Sequence, residues 1–315
     1  MSWSPLADGH TGFAGAGSTE KGGSGTPGAS TLFEIGSVTK TFTSLALARM
    51  AVAGTVDLDE PLARLLPEGT AVPSRGGKEI TLRHLSTHTS GLPRLPKGMM
   101  LRALLRPRTP DPYAGCTADV LPSWLARTRL DAAPGSQVRY SNLGAGLLGL
   151  ALARRAGTSH EQLVTTQVCA PLALSDTLVS AAAARPGRLA EGHDDRLRPT
   201  PPWNLADTAG AGGLWSTATD LASYVRAQLD CGGPAELRLS RQVEHRSNRF
   251  SWMHLGWTAH RLHPRQGAHL QIWHNGGPLT RIPPPRPTAS PSGSRRKRTA
   301  PAPRSRLRVR RGPPG

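Results

Sequence analysis

The residue of this sequence best suited to chemistry is Ser37, which is followed three positions later by Lys40. Residues three apart lie on the same face of a helix, so the lysine amine can reach the serine hydroxyl. A hydroxyl needs a base before it becomes a nucleophile, and a partly desolvated lysine can be that base. The start of a helix also favours an anionic oxygen. The alternative is a helix cap followed by a solvated lysine, and the motif alone favours it.

A second motif, Tyr140-Ser-Asn142, lies about 100 residues further along the chain, directly before a predicted helix. A phenol near a lysine ammonium can have its pKa lowered and can then relay protons. The alternative is a buried tyrosine beside an asparagine helix cap. Taken alone, this motif also favours its alternative.

A third motif, His274-Asn-Gly276-Gly277, ends the apolar strand predicted over 271–273. Adjacent glycines at a strand allow a substrate backbone to approach closely. A free N–H at such a place can point toward a developing oxyanion. The alternative is an ordinary hairpin turn.

In this order the three motifs resemble those of the penicillin-recognising serine hydrolases. The most similar branch contains class C β-lactamases, D-alanyl-D-alanine carboxypeptidases and related esterases. Its members carry Ser-x-x-Lys, then Tyr-x-Asn, then Lys-Thr-Gly or His-x-Gly. The segments 33–43, 85–93, 171–177 and 209–220 are also typical of this family, so the resemblance covers residues 33–277.

The resemblance implies a reaction and its catalytic residues. Ser37 would be the acylated nucleophile, and Lys40 and Tyr140 would share the work of the general base. The reaction would be acyl transfer through an acyl-enzyme to water, with no metal and no cofactor. The substrate would be a small molecule or a peptide: a β-lactam, a D-Ala peptide or a small ester.

The same resemblance implies the substrate-binding residues. Asn142 would hold the substrate amide and orient the catalytic lysine. His274 stands where other members have lysine and would face the catalytic tyrosine. Gly276 belongs to the same substrate-binding motif, and the N–H groups of Gly277 and of the nucleophilic serine would form the oxyanion hole.

The elements that must position these residues follow from hydrophobic periodicity. Apolar residues three or four apart predict an amphipathic helix from Val38 to Met50, ended by Gly54. Further helices are predicted at 80–87, 118–128, 142–156, 160–168 and 217–229, and a hairpin at 255–273. A little strand, many helices and then strands predict an α+β fold, with an antiparallel sheet flanked by helices. The resemblance implies its β-lactamase/transpeptidase-like form with a mostly helical subdomain.

Length and composition limit the alternatives. The chain has 315 residues, of which 37% are hydrophobic, and no apolar run approaches the ~18 residues of a membrane-spanning helix. The first residues do not read as a signal peptide, although family members usually work outside the cytoplasm. Three cysteines without a spacing motif exclude a disulfide scaffold. His84 and His88 have the i, i+4 spacing of a zinc pair but lack a glutamate and a third ligand, so no metal is predicted.

The net charge of +18 is concentrated at the C-terminal end. Residues 278–315 carry 11 lysines and arginines and no acid, whereas residues 1–277 have a net charge of +7. The terminal segment is also rich in proline and has no aromatic residue. We therefore predict a hydrolase domain over 1–277 and a basic, Pro/Arg-rich, disordered tail over 278–315.

The family pattern stops abruptly after Gly277. Family members usually continue with two strands and a long C-terminal helix, and they begin with a helix and a strand pair. We therefore expect a chain truncated at both ends, and we hypothesise that residues from about 278 are a frameshift product. Without these strands, a sheet edge and an apolar face are expected to be exposed. Because a misplaced oxyanion donor costs ~10²–10³ in rate, impaired activity is also expected.

A function of a different class stays open beside the hydrolase. A catalytically inactive chain could bind nucleic acid or an anionic surface through its basic tail, with binding that weakens steeply in salt. The absence of aromatic residues for base stacking argues against a nucleic-acid partner. The sequence predicts neither the oligomeric state nor the compartment.

Overall fold

The structure is a computed structural model in which side chains and backbone are described for most of the chain. The described residues are 2–3, 12–20, 23, 25–96, 99, 113, 115–179, 187–193, 198–202, 205–263, 265, 269–276 and 306–310. Among them, no helix is long and apolar enough to cross a membrane.

The described strands form three short two-stranded pairs and one larger antiparallel sheet. The strands of the short pairs are β1 (Ser2–Trp3), β2 (Phe13–Ala14), β3 (Phe33–Glu34), β4 (Gly192–His193), β5 (Pro199–Thr200) and β6 (Trp215–Ser216). They pair as β1 with β2, β3 with β6 and β4 with β5. The larger sheet contains β7 (His245–Asn248), β8 (Ser251–Met253), β9 (Thr258–Arg261), β10 (Leu270–Asn275) and β11 (Arg306–Arg310). Its strand order is β11-β10-β9-β8-β7.

Helices pack on one another beside this sheet. They are α1 (Thr39–Val52), α2 (Leu82–Ser86), α3 (Leu121–Ala126), α4 (Asn142–Arg155), α5 (His160–Val164), α6 (Ala218–Leu229) and α7 (Ala235–Gln242). Tighter 3₁₀ turns occur at Gly36–Val38, Leu62–Leu65 and Ala206–Ala211, and a π-turn follows α5 at Thr165–Cys169. Each predicted helix therefore has a helical counterpart in the structure. The predicted hairpin is the antiparallel pair β9–β10, in which Leu270 lies opposite Arg261.

Helix α1 is central to the fold. Its residues from Thr39 to Ala48 are all buried, and it packs against α4 and α7. The helix forms as predicted, but it has no solvent-exposed polar face over this stretch. The polar positions of α1 face other parts of the protein instead of water. For example, the Ser44 hydroxyl accepts a hydrogen bond from Ser86 Oγ over 2.7 Å.

Two helices begin at side chains that cap their first turns. Ser141 Oγ accepts a hydrogen bond from Gly144 N and caps α4, and Thr217 Oγ1 accepts one from Asp220 N and caps α6. A side-chain acceptor three residues before a backbone N–H satisfies a group that the helix itself leaves unpaired. The cap of α4 is Ser141, so Asn142 is the first residue inside the helix and not its cap.

The C-terminal tail contributes a strand. Residues Arg306–Arg310 form β11, which pairs with β10 from Gln271 opposite Arg310 to Asn275 opposite Arg306. This corrects the expectations of a tail disordered throughout and of an exposed edge on β10. Alternation of arginine with Leu307 and Val309 is the two-residue period of a strand, a local pattern that the overall composition conceals. The remaining tail residues lie outside the described part, and the division at 277/278 stays a prediction.

Candidate active site

Ser37 and Lys40 are in direct contact. Ser37 lies in the 3₁₀ turn Gly36–Val38 that leads into α1, and Lys40 follows in the first turn of α1. Lys40 Nζ donates hydrogen bonds to Ser37 Oγ over 3.0 Å and to the carbonyl oxygen of Ala211 over 2.5 Å. Ala211 lies in the glycine-rich turn before β6, and its carbonyl oxygen holds the amine beside the serine.

Burial determines the charge of this lysine. Lys40 is only 2% exposed, and burial, helped by the positive charge of Arg94, lowers its pKa from 10.5 to about 7. A large fraction of the amine is therefore unprotonated at neutral pH. An unprotonated amine within 3.0 Å of a hydroxyl can accept the hydroxyl proton as that oxygen attacks an acyl group.

Tyr140 lies in the loop directly before α4. The Lys40 amine lies 5.0 Å from the centre of its ring. Tyr140 is 38% exposed, and desolvation of its buried part raises the pKa of its phenol, which the neighbouring Ser37 hydroxyl and the charge of Arg94 only partly oppose. The expectation of a lowered phenol pKa is therefore wrong, because desolvation outweighs the nearby positive charge. The phenol stays protonated at neutral pH and can donate a proton.

Asn142 is the first residue of α4, and among the described residues its side chain does not bond to the lysine as the resemblance implies. Its Nδ2 donates to the Tyr113 hydroxyl over 3.2 Å, whereas the lysine amine is oriented by Ala211 O. The Oδ1 atom of Asn142 is buried and has no hydrogen-bond partner among the described residues. A buried acceptor of this kind requires a partner, and a substrate amide N–H would supply one.

His274 lies on β10 and is buried, with its ring centre 6.4 Å from that of Tyr140. Its Nδ1 donates to the Asn275 carbonyl over 2.8 Å, which leaves Nε2 as the nitrogen that can accept a proton. Burial, with a contribution from the charge of Lys40, lowers its pKa to about 3. His274 is therefore neutral at pH 7.

His88 is a site residue that sequence reasoning missed. It is buried, and its ring centre lies 4.5 Å from that of Tyr140. Its Nδ1 accepts a hydrogen bond from Ser141 N, and its backbone has a φ of 57°, a left-handed conformation that few residue types adopt. In the sequence, His88 stood out only for its i, i+4 spacing from His84, which resembles a zinc pair. In the structure the His84 ring is hydrogen-bonded to Thr81 at the start of α2. Within the described residues, no group of three potential ligands could hold a metal ion.

A cavity of about 280 Å³ opens between these imidazoles and the sheet. Its walls come from the Tyr140 loop and from strands β7 to β10. The lining residues are His88, Val138, Tyr140, Ser247, Asn248, Ser251, Met253, Thr258, His260 and His274. A polar, uncharged part of a substrate fits this chemistry, since the hydroxyls, amide and neutral imidazoles offer hydrogen bonds without charge.

Of the two predicted glycines, Gly276 directly follows β10. Gly276 packs against the turn that holds the serine: a Cβ atom added at Gly276 would lie 2.5 Å from Ile35 O and 3.0 Å from Val38 Cγ2. No other residue fits this close approach between the strand end and the turn. Gly277, the predicted second oxyanion donor, lies outside the described residues.

Comparison with known proteins identifies the family. A family model described as Beta-lactamase matches residues 6–299. The D-alanyl-D-alanine-carboxypeptidase/endopeptidase AmpH of Escherichia coli K12 is 35% identical over 217 residues, which are 69% of this chain and 54% of AmpH. A β-lactamase of Escherichia coli K12 is 29% identical over 273 residues, which are 83% of this chain and 67% of that protein. The chain thus spans about half the length of AmpH.

Solved structures show the same fold. The β-lactamase/D-alanine carboxypeptidase from Yersinia pestis, complexed with citrate, has a TM-score of 0.69 and 28% identity. The match covers 83% of this chain and 75% of that one. A class C β-lactamase from Rhodobacter sphaeroides matches with a TM-score of 0.69 and 23% identity, over 86% of this chain and 80% of that one. The predicted α+β, β-lactamase/transpeptidase-like fold class is confirmed.

Proposed function

The chain belongs to the β-lactamase family, and we propose that it is a serine hydrolase that forms an acyl-enzyme at Ser37. The observation that carries this proposal is the buried Lys40 amine, 3.0 Å from Ser37 Oγ, whose pKa is lowered to about 7. A lysine that served only as a surface charge would be solvated and fully protonated. The names of the relatives suggest β-lactams and D-Ala peptides as substrates, and a small ester is the third class.

In the proposed acylation step, Ser37 Oγ attacks the substrate carbonyl carbon while its proton passes to the unprotonated Lys40 amine. The resulting oxyanion is stabilised by the N–H groups of Ser37 and Gly277. When the intermediate collapses, the bond to the leaving nitrogen breaks, and the Tyr140 phenol donates the proton that this nitrogen needs. The phenol regains a proton from the Lys40 ammonium.

The deacylation step repeats this sequence with water as the nucleophile. Water attacks the acyl carbon and gives its proton to the Lys40 amine, and the Lys40 ammonium then gives this proton to Ser37 Oγ as the bond to the acyl carbon breaks and the serine leaves as an alcohol. The Asn142 side chain would hold the amide of the acyl group throughout. These roles use the polar groups of the site, and no step needs a redox partner.

The first experiment is to label the full chain with a fluorophosphonate and to measure intact mass. We expect one adduct, lost in Ser37→Ala and retained in Ser136→Ala, which removes an exposed serine in a turn outside the site. Lys40→Met keeps most of the side-chain volume but removes the base, and we expect it to react at least ~100-fold more slowly. A folded wild-type protein that forms no adduct would contradict the proposed function.

A further inference from the structure

Arg94 is a charged residue at the site to which no role has been given so far. It is exposed and directly follows Pro93 in the loop between α2 and α3. Its guanidinium carbon lies 5.8 Å from the centre of the Tyr140 ring. Its carbonyl oxygen accepts hydrogen bonds from Asn142 N over 3.0 Å and Leu143 N over 3.3 Å. The start of α4 therefore fixes the arginine beside both the tyrosine and the asparagine of the second motif.

The charge of Arg94 is distinctive because the other basic groups of the site lose theirs. Burial makes His88 and His274 neutral at pH 7 and leaves Lys40 only partly protonated. An arginine stays protonated at every pH at which a protein is folded. Within the described part of the chain, no carboxylate forms an ion pair with Arg94. The guanidinium thus presents donors to whatever enters the site.

The position of Arg94 indicates which part of a substrate it would meet. Its backbone is bonded to Asn142, the residue proposed to hold the amide of the acyl group. It does not line the cavity beside His274, which lies between the Tyr140 loop and the sheet. An arginine can bind a carboxylate through two parallel N–H···O bonds, and stacking on an aromatic ring orders its planar group for this.

We propose that Arg94 binds a carboxylate carried by the acyl side of the substrate, so that the site favours acyl donors with an additional negative charge there. This inference rests on the proposed function, because it assigns specificity to the same acyl-transfer site. The substrate class is then a β-lactam or peptide whose acyl portion ends or branches in a carboxylate. A neutral acyl group would leave the guanidinium solvated and gain nothing from it.

Two penicillins provide a matched test of this inference. Carbenicillin differs from benzylpenicillin by one carboxylate on the acyl side chain, while both share the carboxylate of the ring system. The measured quantity is the ratio of their acylation rates, followed by intact mass. We expect Arg94→Gln to lower the carbenicillin-to-benzylpenicillin ratio about 10- to 100-fold, the size expected for losing a hydrogen bond between charged groups.

Two further variants separate geometry from charge. Arg94→Lys keeps the charge but loses the planar fork, so the ratio should fall by less than in Arg94→Gln. Arg129→Gln removes an exposed arginine after α3 and changes the net charge by the same amount, so it should leave the ratio unchanged. The inference would be overturned if both rates fell in Arg94→Gln while their ratio stayed constant. In that case Arg94 would act only through the pKa of Lys40 and not on the substrate carboxylate.

The remaining outcomes are also distinguishable. If the protein reacts with a fluorophosphonate but with neither penicillin, the same comparison is made with the p-nitrophenyl ester of hexanoic acid and the p-nitrophenyl half-ester of adipic acid. The inference is overturned if the wild-type protein shows no preference for the charged ester, or if its preference persists in Arg94→Gln. Neither result contradicts the proposed serine hydrolase activity. A folded protein without any fluorophosphonate adduct instead contradicts the proposed function itself.

Discussion

The side chain of Lys40 shows how a single buried group acquires a chemical property. The side chain is 2% exposed, and the hydrogen-bond partners of its amine among the described residues are one hydroxyl and one carbonyl oxygen, neither of which carries a negative charge. Removing an ammonium group from water without pairing it with an anion favours the neutral amine. The same desolvation makes His274 and His88 neutral, so burial determines most of the electrostatics of the site.

The residue-scale prediction concerns the pH dependence of acylation. Because only the unprotonated amine of Lys40 accepts the serine proton, the rate of fluorophosphonate labelling should rise with pH and level off above about 7. Arg94 contributes to the lowered pKa through its positive charge, so Arg94→Gln should raise the midpoint. Labelling rates between pH 5 and pH 9.5 would measure both midpoints.

Controls for this profile are straightforward. Arg129→Gln should keep the wild-type midpoint, since Arg129 does not contribute to the shift of Lys40. A rate that falls as pH rises through 7 would rule out the lysine as the base, and a midpoint near 10 would contradict its lowered pKa. Circular dichroism at each pH would show that the rates refer to folded protein.

The elements of the fold contribute to the site at their ends. The 3₁₀ turn before α1 carries the serine, the loop before α4 carries the tyrosine, and the C-terminal end of β10 carries the histidine and glycine. The close approach of Gly276 to Ile35 O fixes the strand end against the serine turn. Helix and strand ends provide free backbone groups for a substrate, whereas their middles are hydrogen-bonded internally.

The element-scale prediction concerns the cap of α4. Ser141 Oγ accepts from Gly144 N over 2.9 Å and donates to Pro93 O over 2.7 Å, so it joins the start of α4 to the loop that carries Arg94. Ser141→Ala should lower the free energy of unfolding by about 1–3 kcal/mol, because a helix cap is lost and a carbonyl is left unpaired. It should also slow labelling, because the residues on both sides of Ser141 belong to the site.

Ser159→Ala is the matched control for this variant. Ser159 is exposed and caps α5 through Gln162 N over 3.1 Å, without a bond to the site loops. Its loss should cost stability of about 0.5–2 kcal/mol and leave the labelling rate unchanged. Urea denaturation and fluorophosphonate kinetics on both variants provide the measurements. Equal labelling rates in the two variants would show that the cap of α4 does not position the site.

At the scale of the whole molecule, the larger sheet combines residues that are distant in the sequence. Strands β7 to β10 come from 245–275, whereas β11 comes from Arg306–Arg310 in the basic tail. A strand on that edge pairs backbone groups of β10 that would otherwise be open to another chain. The tail, which provides much of the net charge of +18, is therefore also part of the fold through one strand.

The whole-molecule prediction is that disrupting β11 exposes the edge of β10. Leu307→Pro combined with Val309→Pro removes two backbone N–H groups and leaves every charge in place. We expect this double variant to unfold at a lower temperature and to self-associate more at high protein concentration. Thermal unfolding and light scattering on a sizing column would measure these changes.

A second variant separates the strand from the charge of the tail. Replacing Arg281 and Arg286 by glutamine lowers the net charge outside β11 and should leave both measurements unchanged. If the proline variant melts and elutes like the wild type, the pairing of β11 contributes nothing to stability or solubility. The prediction of a disordered tail would then hold for residues 306–310 as well.

The sequence by itself determined the features that depend on residues close together along the chain. The three-residue spacing of Ser37 and Lys40 brings their side chains together on any helix, and apolar periodicity predicted the helices at 142–156 and 217–229, which the structure contains. The order of the three motifs also identified the family, because several weak local patterns in a fixed order become specific together.

Only the tertiary structure decided the properties that depend on packing between distant segments. The pKa of Lys40, the raised pKa of Tyr140 and the neutrality of His274 all arise from burial by residues far away in the sequence. The positions of His88 and Arg94 beside Tyr140 have the same origin. Periodicity and capping act over a few residues, whereas desolvation and approach of charges depend on which segments meet in the folded chain, and no local pattern records that.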